Sequence, residues 1–158
     1  MSAEIFRHRI AELAKMLDKD ELPVNDAQVC SVCINESCWV HISYSDTQVQ
    51  VHWSALLCCT TGYNASVLYR RLLEANTDSA LTAGGFFAID PCTDVVLYRY
   101  HQPLQGLDSQ RFYAIFESFS NTALHWRDRL ASILERLPAA DAPSVVPEQQ
   151  APMLSNLV

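Results

Sequence analysis

The sequence predicts an α+β fold: an antiparallel twisted sheet of about five strands with three helices, in the order α-βββ-α-ββ-α. Three observations lead to this prediction. Apolar residues recur with helical spacing at the start of the chain, near its middle and in a long segment towards its end. Between these segments, short stretches alternate apolar and polar residues, as strands with one buried face do. Only a few turn residues separate the stretches, and short turns connect antiparallel neighbours.

Composition limits the kind of protein. The 158 residues suffice for one domain with a substantial core, and the formal charge of −7 weighs against a nucleic-acid partner bound through its phosphates. Lys15 and Lys19 are the only lysines, which excludes a polybasic stretch for a membrane surface. The N-terminal residues lack the apolar run of a secretory signal, and no stretch approaches the ~20 apolar residues of a membrane span. We therefore expect a cytoplasmic location and no membrane partner.

Residues 2–17 predict the first helix. Its apolar residues follow the spacing i, i+4, i+7 and i+11, which places them on one helical face: Phe6, Ile10, Leu13 and Leu17. Ser2 is a suitable N-cap. The residue before Pro23 is pushed out of the α region, so the helix is expected to end before that proline.

Three strands are predicted next, at residues 28–34, 38–44 and 48–53, with turn clusters between them. The second strand carries Trp39 opposite its apolar set, so we expect a large side chain on each side of the sheet there. A second helix, capped by Asn64 or Ser66, is predicted to run to about residue 76. Gly84 and Gly85 then lead into a second hairpin with strands at 86–90 and 95–100.

The longest helical pattern opens at Asp108 or Ser109. Its apolar residues form two series with seven-residue spacing: Phe112, Phe119, Trp126 and Ile133, and Phe116, Ala123, Leu130 and Leu137. Such a seam is compatible with a coiled coil, but we favour a terminal helix laid across its own sheet. From Pro138 onward, four prolines and no aromatic residue predict a disordered tail at 138–158, after a folded domain at 1–137.

Six cysteines raise the question of metal or thiol chemistry. Cys30 and Cys33 have the C-x-x-C spacing, and Cys38 is nearby. Within a strand, however, residues three apart point to opposite faces, which is poor geometry for a zinc site. We therefore predict free thiols, no metal and no cofactor. A thiol or zinc enzyme built on these three residues is the alternative.

The five histidines form no metal-binding or catalytic motif. His41 and His52 are placed to face each other across neighbouring strands, and we interpret them as a structural pair. Gly84 and Gly85 are not followed by a helix, so they do not form a phosphate-binding loop. No nucleophile elbow occurs either. We therefore predict that the protein is not an enzyme.

Several segments occur in a characteristic order. A leucine-rich helix at 68–76 ends in L-L-E-A-N, a strand at 84–90 reads G-G-F-F-A-I-D, and a strand at 95–98 reads V-V-L-Y. Residues 104–107 then lead into a helix that contains Phe116, Phe119 and Trp126. From residue 3 to about residue 136, this order resembles the type III secretion chaperones of the Tir chaperone (CesT-like) family. The high cysteine content and the long tail depart from that pattern.

The resemblance implies a cytosolic homodimer without ATPase activity. Such a chaperone binds the N-terminal chaperone-binding segment of one or more bacterial effectors, keeps it extended, soluble and secretion-competent, and delivers it to the secretion apparatus. The secretion ATPase is a candidate further partner. The alternative is the same fold used as an adaptor or regulator that sequesters a regulatory protein.

By analogy, the first helix and the adjoining strands supply the groove for the effector: Phe6, Ile10, Leu13, Val32 and Trp39. The second helix and the second hairpin supply the dimer interface: Leu68, Leu72, Val95 and Leu97. For each of these residues, a place in the core of one subunit is the competing interpretation. Trp39 is the strongest groove candidate, because its strand neighbours already fill the opposite face.

Overall fold

The helices and strands of the computed structural model, which describes residues 2–139, follow the predicted order. The helices are α1 (Ser2–Met16), α2 (Ser66–Ala75) and α3 (Ser109–Leu134). The strands are β1 (Val29–Ile34), β2 (Cys38–Ser45), β3 (Gln50–Cys59), β4 (Phe86–Asp90) and β5 (Val95–Pro103). The predicted α+β class and element order are thereby confirmed.

The five strands form one antiparallel sheet in the order β1-β2-β3-β5-β4. Strand β3 is longer than predicted, because it continues beyond Trp53 and its end pairs with the start of β5. The pairing register shifts between Leu56 and Cys58, as at a β-bulge. Such an irregularity breaks the period-2 pattern from which strands are recognised in a sequence.

Helices α1 and α3 cover one face of the sheet through aromatic contacts. Phe6 of α1 stacks on Tyr44, with ring centroids 5.8 Å apart. Three rings of α3, spaced by seven residues, each meet a ring of the sheet at 4.6–5.5 Å: Phe112 meets Trp53, Phe119 meets Tyr98, and Trp126 meets Phe87. The seven-residue series therefore packs on the protein's own sheet, and the interpretation as a terminal helix is confirmed.

The loop between α2 and β4 packs closely against the core. The hydroxyl of Tyr98 donates to the carbonyl of Thr82 at 2.6 Å, and Nε1 of Trp126 donates to the carbonyl of Leu81 at 3.0 Å. A Cβ atom added at Gly85 would lie 2.5 Å from Cε2 of Tyr98. The backbone approaches the ring so closely that only glycine fits at this position.

The three helices differ in how their first turns are capped. Ser2, predicted as the cap of α1, is the first residue of that helix. Asp108 caps α3, because its side chain accepts a hydrogen bond from the backbone N–H of Arg111 at 2.7 Å. The cap predicted for α2 is wrong: Ala65 occupies that position and no side chain caps the helix. The hydroxyl of Ser66 instead donates to Oδ1 of Asn64 at 3.0 Å, so the two candidate caps bond each other.

The described chain ends against the segment that follows β3. The N–H of Asn64 donates to the carbonyl of Pro138 at 3.1 Å, and Tyr63 forms an antiparallel bridge with Ala139. The rest of the tail predicted at 138–158 lies outside the described residues. Within the described part, none of the helices has the length and apolar character needed to cross a membrane.

Candidate binding surface

The second face of the sheet, which we call the open face, is covered by no helix of residues 2–139. Side chains alternate between the two faces along each strand. The buried positions point towards α1 and α3, and the intervening positions are mostly exposed or half-buried. Because neighbouring strands are paired in register, the outward side chains form rows that cross the sheet.

One apolar set crosses the sheet, and we call it the apolar row. Its members are paired on either side of a cavity that Trp39 and Leu56 share: Cys33 with Trp39, and Leu56 with Leu97 and Leu97 with Ala88. Trp39 is 51% exposed and Leu56 is 48% exposed. Contiguous apolar side chains exposed to this extent are typical of interaction sites rather than of ordinary protein surface.

A cavity of about 550 Å³ opens beside the apolar row, where β2 begins and β3 ends. Its lining residues are Ser37, Trp39, His41, Leu56, Leu57, Cys58, Cys59, Val95 and Arg127. Nη1 of Arg127 donates to Oγ of Ser37 at 3.1 Å. None of these lining residues is acidic. The cavity thus joins apolar walls to a positively charged edge.

The row next to the apolar row is polar. It contains Ser31, His41, Ser54 and Arg99, which are paired across β1, β2, β3 and β5. Oγ of Ser31 and Nδ1 of His41 lie 2.8 Å apart. Arg99 forms no ion pair with any residue that the structure describes. The open face of this acidic protein therefore carries basic side chains.

The histidine pair of the open face differs from the predicted one. His41 pairs in register with Ser54, and His52 pairs with Ser43, so the expected pairing of His41 with His52 is wrong. His52 lies opposite His101 of β5 instead, with ring centroids 5.8 Å apart. Burial lowers the pKa of His52, and the positive charges of His101 and Arg99 lower it further. The error arose because the turn between β2 and β3 ends at Val49, so that Ser45 pairs with Gln50 and the register differs by two residues from the expected one.

The five predicted groove residues differ in their exposure to solvent. Four of them are core residues of the subunit, each at most 2% exposed: Phe6, Ile10, Leu13 and Val32. They are buried because α1 packs against α3 and Tyr44 of β2, and Val32 lies on the inward face of β1 in the same core. Of the five, only Trp39 presents its side chain at the surface. The groove assignment therefore narrows to Trp39, with Leu56 and the cavity beside it.

The predicted dimer residues divide in the same way. Leu68 and Leu72 of α2 are 1% and 3% exposed and belong to the core of the subunit. Val95 and Leu97 of β5 are half-buried on the open face, where Leu97 is part of the apolar row and Val95 lines the cavity. Residues expected to serve two different interfaces thus lie on one continuous surface.

A second exposed apolar site lies at the opposite end of the sheet. A cavity of about 510 Å³ there is lined by Ile5 and Val49, which are 43% and 46% exposed, and by the residues 104–108. Nε of Arg9 donates to the carbonyl of Leu107 at 2.8 Å and fixes α1 to this loop. Ile5 is therefore the exposed apolar side chain of α1 at this cavity, and Met16 is equally exposed at the other end of the helix.

The sequence did not single out Leu56, because the predicted third strand ended at Trp53. Its exposed position could nevertheless be predicted from the alternation of side chains along a strand. Leu56 lies three residues after Trp53, at an outward position of a strand that continues. A longer strand would have predicted an exposed leucine on the same side of the sheet as Trp39.

The cysteines do not form a metal site in the described part of the chain. No group of three or more potential metal ligands occurs there, and all six thiols are free. Burial raises the pKa of Cys30 to about 11 and that of Cys58 to about 11. Hydrogen bonds with Thr61 lower the pKa of the exposed Cys59. Cys30 and Cys58 therefore stay protonated at neutral pH.

Comparison with known protein families gives one match over most of the fold. A model described as the Tir chaperone protein (CesT) family matches residues 8–127, from within α1 to within α3. Comparison with curated proteins gives no significant match.

Solved structures share the fold over most of this chain. A chain from the structure of the HopA1-SchA chaperone-effector complex has a TM-score of 0.69 at 16% identity, over 81% of this chain and 97% of that one. A chain from the Yersinia pestis type III secretion chaperone SycH in complex with a stable fragment of YscM2 has a TM-score of 0.60 at 20% identity, over 77% and 98%. A chain from the ExoU-SpcU complex of the Pseudomonas aeruginosa type III secretion system has a TM-score of 0.60 at 16% identity, over 80% and 97%.

Proposed function

The chain belongs to the Tir chaperone protein (CesT) family of type III secretion chaperones, and from this premise we propose that it binds the N-terminal segment of one or more bacterial effectors. The bound segment is kept extended, soluble and competent for secretion, and is delivered in the cytoplasm to the secretion apparatus. The proposed function consists of binding only and requires no cofactor. The solved complexes of the same fold that hold a chaperone with an effector support this proposal.

The apolar row is the observation that carries the proposal. A chaperone of this kind must offer apolar surface before its partner arrives, and Trp39 and Leu56 do so without any cover from the described residues. An extended segment can lay alternate side chains on such a surface. The segment orders when it binds, so its contacts must outweigh the entropy of ordering. The net charge of −7 keeps a protein with this exposed surface in solution.

The subunit is proposed to act as a homodimer. The β5 side of the open face, with Val95 and Leu97, supplies the contact between the two copies, and the β2 side, with Trp39, supplies the effector site. The apolar row spans both sides, so the effector site of each copy lies next to the dimer contact. An effector segment can then extend from one copy to the other.

Capture from the native cell tests the proposed function. The tagged full-length chain is expected to retain an effector through its N-terminal segment, which mass spectrometry identifies. Trp39→Ala should reduce the captured amount at least several-fold while the circular dichroism spectrum and the melting temperature stay within error of the wild type. Val49→Ala, at the opposite end of the sheet and similarly exposed, is the matched control and should retain the effector.

Three outcomes would contradict the proposal. Capture of a regulatory protein in place of any effector would assign the fold to an adaptor. Undiminished capture by Trp39→Ala would remove the open face from the binding site. Unfolding of that variant would make Trp39 a core residue, and Trp39→Phe, which keeps an aromatic ring, then separates a loss of packing from a loss of contact.

A further inference from the structure

The cavity beside Trp39 contains a positively charged side chain as well as apolar walls. Arg127 lies at its edge and forms no ion pair with a described residue. His41 also lines it, and none of the lining residues is acidic. In a chain with 18 acidic residues against 11 lysines and arginines, this cavity contains an arginine and a histidine and no acidic side chain.

Arg127 reaches the cavity from α3. Its guanidinium interacts with Cys38, and its Nη1 donates to Oγ of Ser37 in the turn before β2. Trp39 supplies an apolar wall of the same cavity. A ligand in the cavity therefore meets an apolar wall and a guanidinium together.

We propose that this cavity recognises an extended partner segment that carries an apolar side chain and a nearby carboxylate. The apolar side chain contacts Trp39 and Leu56, and the carboxylate accepts hydrogen bonds from the guanidinium of Arg127. The inference rests on the proposed function, whose effector segment it describes in chemical terms. Charge complementarity selects this occupant, because a guanidinium pairs with a planar carboxylate through two parallel hydrogen bonds.

Two synthetic peptides of twelve residues test the proposal with the full-length chain. Both are rich in serine and glycine and contain one leucine, followed two residues later by aspartate in the first peptide and by asparagine in the second. Fluorescence anisotropy of a labelled peptide at low and at high salt gives the dissociation constants. We expect the asparagine peptide to bind about three- to tenfold more weakly at low salt, with a smaller difference at high salt.

Variants of the chain locate the effect. Arg127→Gln should remove the difference between the peptides, whereas Arg129→Gln, which removes the same charge two residues along α3, should retain it. Trp39→Ala should weaken the binding of both peptides. Equal affinity of the wild type for the two peptides, the absence of measurable binding, or equal effects of the two arginine variants would each overturn the inference. In those cases the wild type could still capture an effector. The proposed function is therefore tested independently of this inference.

The same experiment can show that one of two other segments occupies the cavity. A full-length variant with serine at the apolar tail positions Val145, Val146, Leu154 and Leu157 tests the chain's own tail. If that variant binds the aspartate peptide more tightly, the tail competes for the cavity, and the assignment to a partner is overturned. If the peptide dissociates a dimer in sedimentation experiments, the cavity belongs to the contact between copies, which overturns the assignment as well.

Discussion

The side chain of Asn76 forms two hydrogen bonds with the backbone of Phe87. Its Oδ1 accepts from the N–H of Phe87 at 2.7 Å, and its Nδ2 donates to the carbonyl of Phe87 at 3.1 Å. Asn76 is the C-cap residue of α2, and Phe87 lies in the edge strand β4. The amide thus takes the place of a neighbouring strand at this residue and fixes α2 to the sheet.

Replacement of Asn76 by alanine is expected to destabilise the fold by about 1–3 kcal/mol, because it leaves the backbone N–H and carbonyl of Phe87 without partners in a half-buried site. Asn76→Asp keeps the acceptor but places a second carboxylate oxygen against the carbonyl of Phe87, so at neutral pH it should not restore the stability that alanine loses. Urea unfolding followed by circular dichroism measures both. Asn121→Ala, at an exposed position of α3, is the control and should change the free energy of unfolding by less than about 0.5 kcal/mol.

This contact also explains part of what the sequence could predict. The segment ending in L-L-E-A-N was recognised by order and spacing, yet nothing local to Asn76 indicates a bond to a residue of β4. Helices and strands followed from periodicity because each has one buried face. Partners across the sheet, such as His52 with His101, depend on the register between β3 and β5, which local periodicity does not determine.

The candidate site was harder to predict from the sequence than the fold, for a related reason. The stripe of α1 was correctly placed on one helical face, but periodicity does not tell whether that face meets the protein's own core or a partner. The stripe meets the core, as the full burial of Phe6 shows. Trp39 was distinguishable because it lies opposite an apolar set that already fills the other face of its strand.

The contact between copies is expected to depend on Leu97. Leu97→Asp places a charge within the apolar row, where a second copy would have to bury it without a partner. Light scattering coupled to size-exclusion chromatography should therefore report a monomer near 17.8 kDa for this variant and about twice that mass for the wild type. Val49→Asp introduces the same charge at an exposed site at the other end of the sheet and should remain dimeric. A dimer of unchanged stability in Leu97→Asp would remove β5 from the interface.

The thiols should differ strongly in reactivity. Cys30 and Cys58 have pKa values raised by burial to about 11, so little thiolate is present at pH 8, whereas hydrogen bonds with Thr61 lower the pKa of the exposed Cys59. Iodoacetamide is expected to modify Cys59 well before Cys30 in the native protein, as measured by mass spectrometry of tryptic peptides. In urea the six rates should converge. Equal native rates for Cys59 and Cys30 would contradict the burial on which the difference depends.

Stability should decrease between neutral and mildly acidic pH because of His52. Burial and the nearby charges of His101 and Arg99 lower its pKa in the folded state, so the unfolded chain binds the proton more readily. The contribution of a neutral His52 is therefore complete above the unfolded pKa of about 6.5 and is lost as the pH falls below it, until the folded state is protonated as well. The lowered pKa of Glu12, which accepts hydrogen bonds from Ser109 and Arg9, acts in a separate and more acidic window.

Urea midpoints measured at pH 7.5 and at pH 5.5 check this expectation. The wild-type midpoint should be lower at pH 5.5, and His52→Gln should reduce the difference between the two midpoints because glutamine cannot take up the proton. His125→Gln, at an exposed position of α3, serves as the control and should retain the wild-type difference. An unchanged difference in His52→Gln would show that the pH dependence arises elsewhere. A midpoint that rises on acidification would contradict the sign derived from the burial of His52 beside His101 and Arg99 of β5.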